Sequence, residues 1–525
     1  MADVYPPLRP HARGPVPAPT AAEAAAIDRR AIERDGVPQA VLMESAGRAA
    51  AAVLDRLFPT GPVLGLVGAG NNGGDALVVL RTLLGAGREV RGVLVADRPA
   101  GEALLHGWPV PLLRDADLGP GEWRELFASA AVVVDGVLGT GASGAPRERQ
   151  ARALTRMNES GRAVLALDVP SGIDASTGAV AGVAAKAAVT VAMGAPKLGS
   201  LLHPARALVG RLVAVDIGFP PPEEGDAGAW IATPAWARAR VPRRPTDTHK
   251  KAVGSVLLVA GRLGMAGAAV LAARAAFRAG AGLVRVCSSP SNREILQSAV
   301  PEAIWVDASD ADALGEAVAA SDAVGAGPGL GTDDTARSLL AGVLAASPRG
   351  LILDADALNL AAAGAFDLRA AATDRRMLLT PHPGEMARLL TREGGAARVD
   401  AVGAARAAAA RFGCAVLLKG APSVVVEPTG PARVDSQSSS DLAVAGMGDA
   451  LTGVAAALLA QGLDAADAGS LALYLSGRAA RIAGRGAALV PSDVIRHLPE
   501  ALAERGTSAT DLDLPFVTFD ADAAS

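Results

Sequence analysis

The sequence predicts an α/β protein of two domains, each built on a largely parallel sheet. Short apolar runs alternate with helical segments along most of the chain, and Gly-rich turns follow those runs. The alternation breaks once, in a Pro- and charge-rich stretch at 219–248, and then restarts.

The chain has 525 residues, 50 % hydrophobic and 20 % charged. That is enough to bury sizeable cores without disulfides or metal staples. At roughly 100–200 residues per domain, length alone allows two to four domains. The 50 Lys+Arg against 54 Asp+Glu leave a net charge of −4. No basic excess is present to meet phosphates, which argues against nucleic-acid and membrane partners. Two cysteines, Cys287 and Cys414, exclude a disulfide scaffold and a Cys-based zinc site. Both lie in apolar runs and are expected to be buried and inert in a reducing cytoplasm. The N-terminus has no apolar signal core, and no clean span of about 20 apolar residues occurs.

Residues 1–19 are Pro-rich and read as a flexible tail. Thr20 and Glu23 form a T-x-x-E capping box that opens a helix. Ile27, Ala31 and Ile32 mark the face expected to be buried, and Leu42 and Met43 belong to the next helical segment. A strand at 62–67 leads into a glycine loop at 68–74, a helix at 75–84 and a strand at 88–95. Strand 131–134, loop 135–146, helix 147–159, strand 163–167 and loop 168–174 repeat the pattern. Residues 20–222 thus make a first domain, 223–245 a linker, 246–505 a second domain, and 506–525 a disordered acidic tail. The second domain starts with strand 255–259, a helix to about 279 and strand 283–287. Further strands fall at 322–325, 350–353, 377–380, 415–418 and 423–427, and a long helix runs from Gly448 to Leu459. On such sheets ligands gather at the carboxyl ends of the strands, so polar residues there are the candidates for chemistry.

In the first half, Asn71-Asn72-Gly73-Gly74-Asp75 lies between a strand and a helix. Its glycines let a ligand approach the backbone, and the helix N-terminus offers N–H groups to an anion. Its Asn and Asp oxygens could ligate a hard cation. The plainer alternative is a tight turn with Asp75 capping the helix. Asp135 begins the next loop, with Leu138-Gly139-Thr140-Gly141 after it, and Asp168 begins a third, Asp168-Val169-Pro170-Ser171-Gly172-Ile173-Asp174. Any one acid could be a helix cap, but three at one sheet edge point to a site. Lys197 is a candidate phosphate or substrate contact, although a lone lysine is more often solvated.

In the second half, Gly446-Met447-Gly448-Asp449 precedes the long helix. Glycines and a helix N-terminus form an anion hole, and Asp449 stands where it could take a proton from a substrate hydroxyl. The alternative is an acid that merely complements the helix dipole. Lys419-Gly420-Ala421-Pro422-Ser423 lies between two strands and could hold nucleotide phosphates. Gly327-Pro328-Gly329-Leu330-Gly331, Leu353-Asp354-Ala355-Asp356-Ala357-Leu358-Asn359 and Thr380-Pro381-His382-Pro383-Gly384-Glu385 each follow a strand. No Walker GxxxxGK[ST] is present, so any nucleotide use is of another type.

The order NNGGD, D-x-x-L-G-T-G, DVPSGID resembles the N-terminal domain of the bifunctional NAD(P)H-hydrate repair enzymes. VGAGPGLG, LDADALNL, TPHPGE, LLKG and GMGD resemble their C-terminal domain. The resemblance implies a Rossmann-like doubly wound domain followed by a ribokinase-like α/β domain. It implies that the first epimerises the R and S hydrates of NADH and NADPH (NADHX and NADPHX). The second would dehydrate the S form to NAD(P)H, consuming ADP through phosphorylation of the ring hydroxyl and elimination, with AMP and phosphate as products. By the same resemblance, Asn72, Asp135 and Ser171 would ligate K⁺. Asn71, Asn72, Gly73, Gly74, Asp75 and the run Gly139, Thr140, Gly141, Ala142, Ser143, Gly144, Ala145 would hold the dinucleotide, and Asp168 would reach its reacting ring. Lys419, Gly420, Ala421, Pro422, Ser423 and Gly448 would contact ADP, which works with Mg²⁺. Gly267, Ala268, Gly331, His382 and Asp449 would contact the hydrate, Asp449 as base. A homo-oligomer is also implied.

The chain departs from the family pattern at a few positions. Ala76 stands where Gly is usual, and Lys251 replaces the Gly of HKG. Before GMGD, Ser439, Asp441 and Ala445 replace an Asn and two Gly. Two other readings remain open on sequence. One is a ribokinase-like small-molecule kinase, against which the fused first domain argues. The other is a catalytically decayed nucleotide-binding sensor, against which the retained Asp135, Asp168 and Asp449 argue.

Overall fold

The computed structural model describes residues 16–98, 104–223, 225–244, 246–247, 249, 253–390, 401–437, 439–503 and 516–519. The chain divides into two compact units, Met1–Trp230 with Ala509–Ser525, and Ile231–Ser508.

The first unit begins earlier than its Pro-rich composition suggests. Residues Val16–Pro17 form a short strand (β1), and the Ala18 N–H donates to the Ala229 carbonyl, so 16–19 are not a loose tail. The capping box forms as expected. The Glu23 N–H donates to Thr20 Oγ1, and the Thr20 N–H donates to Glu23 Oε2 at 2.8 Å. The helix Ala21–Arg29 then passes into a π-helical turn, Arg30–Arg34. Only Ala31 of the predicted apolar face is buried. Ile27 and Ile32 instead line a cleft. A second helix, Gln39–Leu57, contains Leu42 and Met43.

The strands Val63–Val67 (β2), Val90–Leu94 (β3), Leu112–Arg114 (β4), Val132–Gly136 (β5), Ala163–Leu167 (β6), Val189–Met193 (β7) and Arg211–Val215 (β8) pair in parallel in the order β8-β7-β6-β5-β2-β3-β4. Their near-continuous Val/Leu runs suit a sheet covered on both faces. Leu54, Leu77, Leu80 and Val213 pack on one face, and Trp123, Leu154 and Met157 on the other.

One element differs from expectation in a way that matters. NNGGD is not a loop but the first turn of the helix Asn71–Gly85, because Gly70, extended, takes the N-cap position. Asp75 therefore lies inside the helix and does not cap it. Gly73 is required by close approach: a Cβ there would sit 2.0 Å from the Gly68 carbonyl oxygen. Ala76 does not crowd this turn, since its methyl faces Gly136 on β5.

The stretch 223–245, expected to be a linker, holds the strand Ala229–Ile231 (β9) and the helix Pro234–Arg240. Within the first unit, Arg30 pairs with Asp226, and Arg34 Nη2 donates to Glu223 Oε1 at 2.6 Å.

The second unit contains Ser255–Val259 (β10), Leu283–Ser288 (β11), Ile304–Asp307 (β12), Ala323–Ala326 (β13), Gly350–Leu353 (β14), Arg376–Leu379 (β15), Ala415–Leu418 (β16), Val424–Val426 (β17) and Ala432–Val434 (β18). They run β18-β17-β16-β15-β14-β13-β10-β11-β12. β10 to β16 are parallel, and β17 and β18 close as antiparallel hairpins. The helix Met447–Ala460 is buried continuously from Ala450 to Ala460, as a helix apolar on all sides should be. Phe516–Phe519 (β19) pairs antiparallel with β8, so the expected disordered tail contributes an edge strand to the first unit. Cys287 and Cys414 are free and buried, and burial pushes both thiols up to about 12. No described helix is long and apolar enough to cross a membrane.

Candidate active sites

In the first unit, the carboxyl ends of β2, β5, β6 and β7 open into a cleft of about 1160 Å³. Asn71, Asn72, Asp75, the run Gly139–Ala145, Asp168 and Lys197 line it. Gly73 and Gly74 do not. They are buried behind the helix turn, against the Gly68 carbonyl, Met43 and the Arg98 guanidinium. Arg98 Nη1 donates to the Gly68 and Gly70 carbonyls and so clasps the turn that the glycines allow.

At the cleft wall, Asn72 stands in front of the buried Asp135 and Ser171. Asp135 is 0 % exposed and accepts from the Ser171 N–H at 2.8 Å and the Ser171 hydroxyl at 2.6 Å. Burial pushes its carboxyl above the ordinary range, and the Ser171 hydrogen bonds work against that rise. Asn72 Nδ2 donates to the Leu138 carbonyl at 2.8 Å, while its buried Oδ1 has no partner among the described residues. An orphaned amide oxygen beside a buried carboxylate is the kind of donor set a monovalent cation completes.

Asp168 is held differently. It sits at φ 63°, a left-handed conformation uncommon for a side-chain-bearing residue. Oδ2 accepts from the Thr140 hydroxyl, and Oδ1 accepts from Lys197 Nζ at 2.5 Å. Lys197 is only 5 % exposed, contrary to the solvated lysine of the sequence reading. Its ammonium also donates to the Met193 and Ala195 carbonyls at 2.9 and 3.1 Å. All three N–H donors are used, so Lys197 serves Asp168 and has none to spare for a phosphate.

In the second unit, Asp354 organises the site. It is 1 % exposed, at the end of β14. Oδ1 accepts from Lys419 Nζ at 2.7 Å and Oδ2 from the Thr452 hydroxyl at 2.8 Å. The pair lies beneath Gly448, where a Cβ would stand 3.4 Å from Lys419 Nζ and 3.6 Å from Asp354 Oδ2. Asp449 follows, in the first turn of the helix Met447–Ala460, with Gly446 at its N-cap. Burial pushes the Asp449 carboxyl up to about 6; the Asp354 charge adds to the rise, Lys419 opposes it, and Asp356 adds a little.

Asp356 has a separate task. It accepts from the Gly331 N–H at 2.8 Å and ties the glycine loop to the end of β14. His382 Nδ1 accepts from the Gly384 and Glu385 N–H groups, which caps the helix Pro383–Leu390 and leaves half of the ring exposed. Glu385 is buried beside it, and its carboxyl is raised by burial. The Lys419 N–H donates to the Pro381 carbonyl at 2.8 Å, joining the lysine and histidine loops. Ser423 Oγ accepts from the Gly420 N–H at 3.1 Å and closes the Lys419–Ser423 turn. Gly267 is open on its Cα side, whereas Ala268 is buried with its methyl toward Gly329. Ser439 Oγ accepts from the Asp441 N–H, so the altered segment before GMGD closes its own turn with the residues it has.

Sequence reasoning missed Thr452, Arg98 and the load on Lys197. Thr452 could have been found, since it follows Asp449 by three helical positions. The clasp of Arg98 and the carbonyls around Lys197 left no local pattern.

The family described as NAD(P)H-hydrate dehydratase matches residues 256–500, and the one described as YjeF-related protein N-terminus matches 39–199. A bifunctional NAD(P)H-hydrate repair enzyme of Moorella thermoacetica is 36 % identical over 516 residues, covering 92 % of this chain and 96 % of the relative. One of Salinibacter ruber is 37 % identical over 529 residues, covering 93 % and 96 %. Among solved structures, a ribokinase-like superfamily protein of Enterococcus faecalis superposes with a TM-score of 0.49 at 26 % identity, covering 55 % of this chain and 99 % of that one. An ADP/ATP-dependent NAD(P)H-hydrate dehydratase of Bacillus subtilis gives 0.45 at 28 % identity, with 52 % and 97 % covered. The chain belongs to the family of bifunctional NAD(P)H-hydrate repair enzymes, with an epimerase-type unit followed by a dehydratase-type unit.

Proposed function

We propose that the first unit interconverts the R and S hydrates of NADH and NADPH, and that the second converts the S hydrate to NAD(P)H at the expense of ADP. The observation that carries the reading is the state of the two acids. Asp168 is fixed in a cleft by Lys197 and Thr140, and Asp449 stands without an ion pair among the described residues at a helix N-terminus beside Lys419. In the second unit, Asp449 takes the proton of the ring hydroxyl, and that oxygen accepts a phosphoryl group from ADP. The N–H groups at the start of Met447–Ala460 and the Lys419 ammonium stabilise the transferring charge. Elimination of phosphate then restores the ring double bond, leaving AMP. Gly331 and His382 would hold the hydrate, and the Lys419–Ser423 turn with Gly448 would hold the nucleotide.

Potassium fits the first unit: Asn72 Oδ1, Asp135 and Ser171 would hold it, and it would supply charge that orders the cleft wall. The described residues hold no group of three or more His, Cys, Asp or Glu that could bind a metal. Magnesium would therefore arrive on the nucleotide phosphates and supply charge neutralisation there. Two buried free thiols suit a reducing compartment, in keeping with a cytoplasmic enzyme.

The test separates the two activities. S hydrate incubated with K⁺ and no nucleotide should yield R hydrate, followed by chromatography, and no NADH. Adding ADP and Mg²⁺ should then produce NADH. Epimerisation that required nucleotide, or dehydration that did not, would contradict the assignment.

A further inference from the structure

Asp75 is 8 % exposed and lines the cleft of the first unit, and its side chain makes no hydrogen bond or ion pair to a described residue. No hydrogen bond joins it to the Asn72–Asp135–Ser171 cluster one turn before it. A nearly buried carboxyl with no partner, facing a cavity, is costly to keep unless the cavity uses it.

Its place in the sheet says what that use is. Asp75 rides on the helix after β2, and Asp168 follows β6. Both strands neighbour β5, so their chains lie about 10 Å apart at the usual strand spacing. The loop after β5, Gly139–Ala145, lines the cleft between them. Both carboxyls line this one cleft, from either side of the strand between them.

The two acids are also prepared unequally. Asp168 accepts from both Lys197 and Thr140. Asp75 has no such contact. The charged groups around it are Asp168, Arg98, Lys197 and Asp28, and Arg98 is committed to the Gly68 and Gly70 carbonyls. Burial first, and then the Asp168 charge, pushes Asp75 up to about 8. A carboxyl that burial keeps protonated, facing a second one that accepts from a lysine, is an arrangement suited to a general acid and a general base.

We propose that Asp75 and Asp168 form an acid–base pair that works on the hydroxyl-bearing carbon of the hydrate from two sides of the cleft. The proposal rests on the epimerase reading above. Asp75 gives its proton to the ring hydroxyl. The C–O bond breaks, its electrons leave with water, and the ring-nitrogen lone pair forms the C=N bond of an iminium. Water adds to that carbon from the other face, a new C–O bond forms, the C=N electrons return to nitrogen, and Asp168 takes the released proton. No oxidant or reductant is needed. The pair carries one proton throughout, which moves from Asp75 to Asp168 in one turnover, and exchange with solvent resets it. In the reverse direction the roles exchange.

The experiment measures R-to-S conversion by the full-length protein at saturating K⁺ without nucleotide, across pH, with the uncatalysed rate subtracted. The wild type should give a bell-shaped kcat/KM profile, with its alkaline limb near the value of about 8 set by Asp75 in the open cleft. Asp75→Asn should lose that limb and about 100-fold in kcat, with KM changed less than about threefold. In heavy-oxygen water, product from the wild type should carry solvent oxygen. Asp75→Glu, which keeps the carboxyl, should keep a bell at reduced rate, and it decides the matter if the Asn variant does not fold. An Asn variant that keeps the bell, an effect confined to KM, or a Glu variant without a bell overturns the role of Asp75. A wild type that does not epimerise at all overturns the epimerase reading instead.

Discussion

The two units contain the same side-chain device and use it in opposite ways. In each, an aspartate at the end of a parallel strand accepts from a lysine on one oxygen and a threonine on the other: Asp168 with Lys197 and Thr140, Asp354 with Lys419 and Thr452. In the first unit the clamped aspartate lines the cleft, and its lysine is spent on Asp168 and two carbonyls. In the second, the clamped aspartate is nearly sealed from solvent, its lysine is partly exposed beneath Gly448, and the acid proposed to react is a different one, Asp449. One arrangement fixes the carboxylate proposed to react. The other leaves a cation beneath a helix N-terminus and, by the charge of its aspartate, helps raise the acid next to it. A Lys–Asp–Thr cluster is therefore not a catalytic signature until one knows which member faces the cavity.

The largest expected effect breaks the comparison at its reacting members. Asp449→Asn should lower ADP-dependent NADH formation about 1,000-fold and leave R/S interconversion unchanged. Parallel loss of both activities, measured on one preparation, would mean the two-site assignment is wrong. Next is the clamp of the first unit. Lys197→Met should cut epimerisation about 100-fold in kcat with little change in KM, because Asp168 loses its counter-charge while the substrate loses no contact. A rise in KM alone would show that Lys197 binds substrate after all. The corresponding clamp of the second unit should matter less. Asp354→Asn removes a negative charge near Asp449, so the acid limb of the dehydration profile, near 6 in the wild type, should move to lower pH. The rate at neutral pH should fall about tenfold as Lys419 loses its anchor. An unmoved limb would mean that Asp354 does not act on Asp449.

The smallest effect is on stability. Asp75 binds a proton in the folded state up to about 8, well above its ordinary carboxylate range. The folded state thus holds more protons than the unfolded one between that range and about 8. The stability Asp75 contributes is full at low pH and is lost as pH rises through that window. Asp75→Asn should remove this loss and raise Tm by a few degrees at pH above about 8, but not at pH 4. Equal Tm changes at both pH values would show that Asp75 is not the buried acid it is taken to be.

Much of this was legible along the chain, for identifiable reasons. Buried parallel strands read as Val/Leu runs, and turn chemistry at their ends marked Asp135, Asp168, Asp354 and Asp449. Where local pattern misled, a neighbour decided. Asn71–Asp75 looked like a loop because of its glycines. Gly70 starts the helix early, and the glycines serve close packing against Gly68 and Arg98. Ile27 and Ile32 have the spacing of a core face, yet they wall a cleft. The stretch 223–245 looked like a linker, but its acids pair with Arg30 and Arg34 from far earlier in the chain. The burial of Lys197 depends on two carbonyls that no spacing rule reveals.

The most direct measurement is NADH recovery from an equal mixture of R and S NADH hydrates with K⁺, Mg²⁺ and ADP, read by near-ultraviolet absorbance. Complete recovery by the wild type is expected, with Lys197→Met recovering the S half promptly and the R half about 100-fold more slowly. Equal rates for the R half in both proteins, or no recovery by a folded wild type, would refute the two-site assignment.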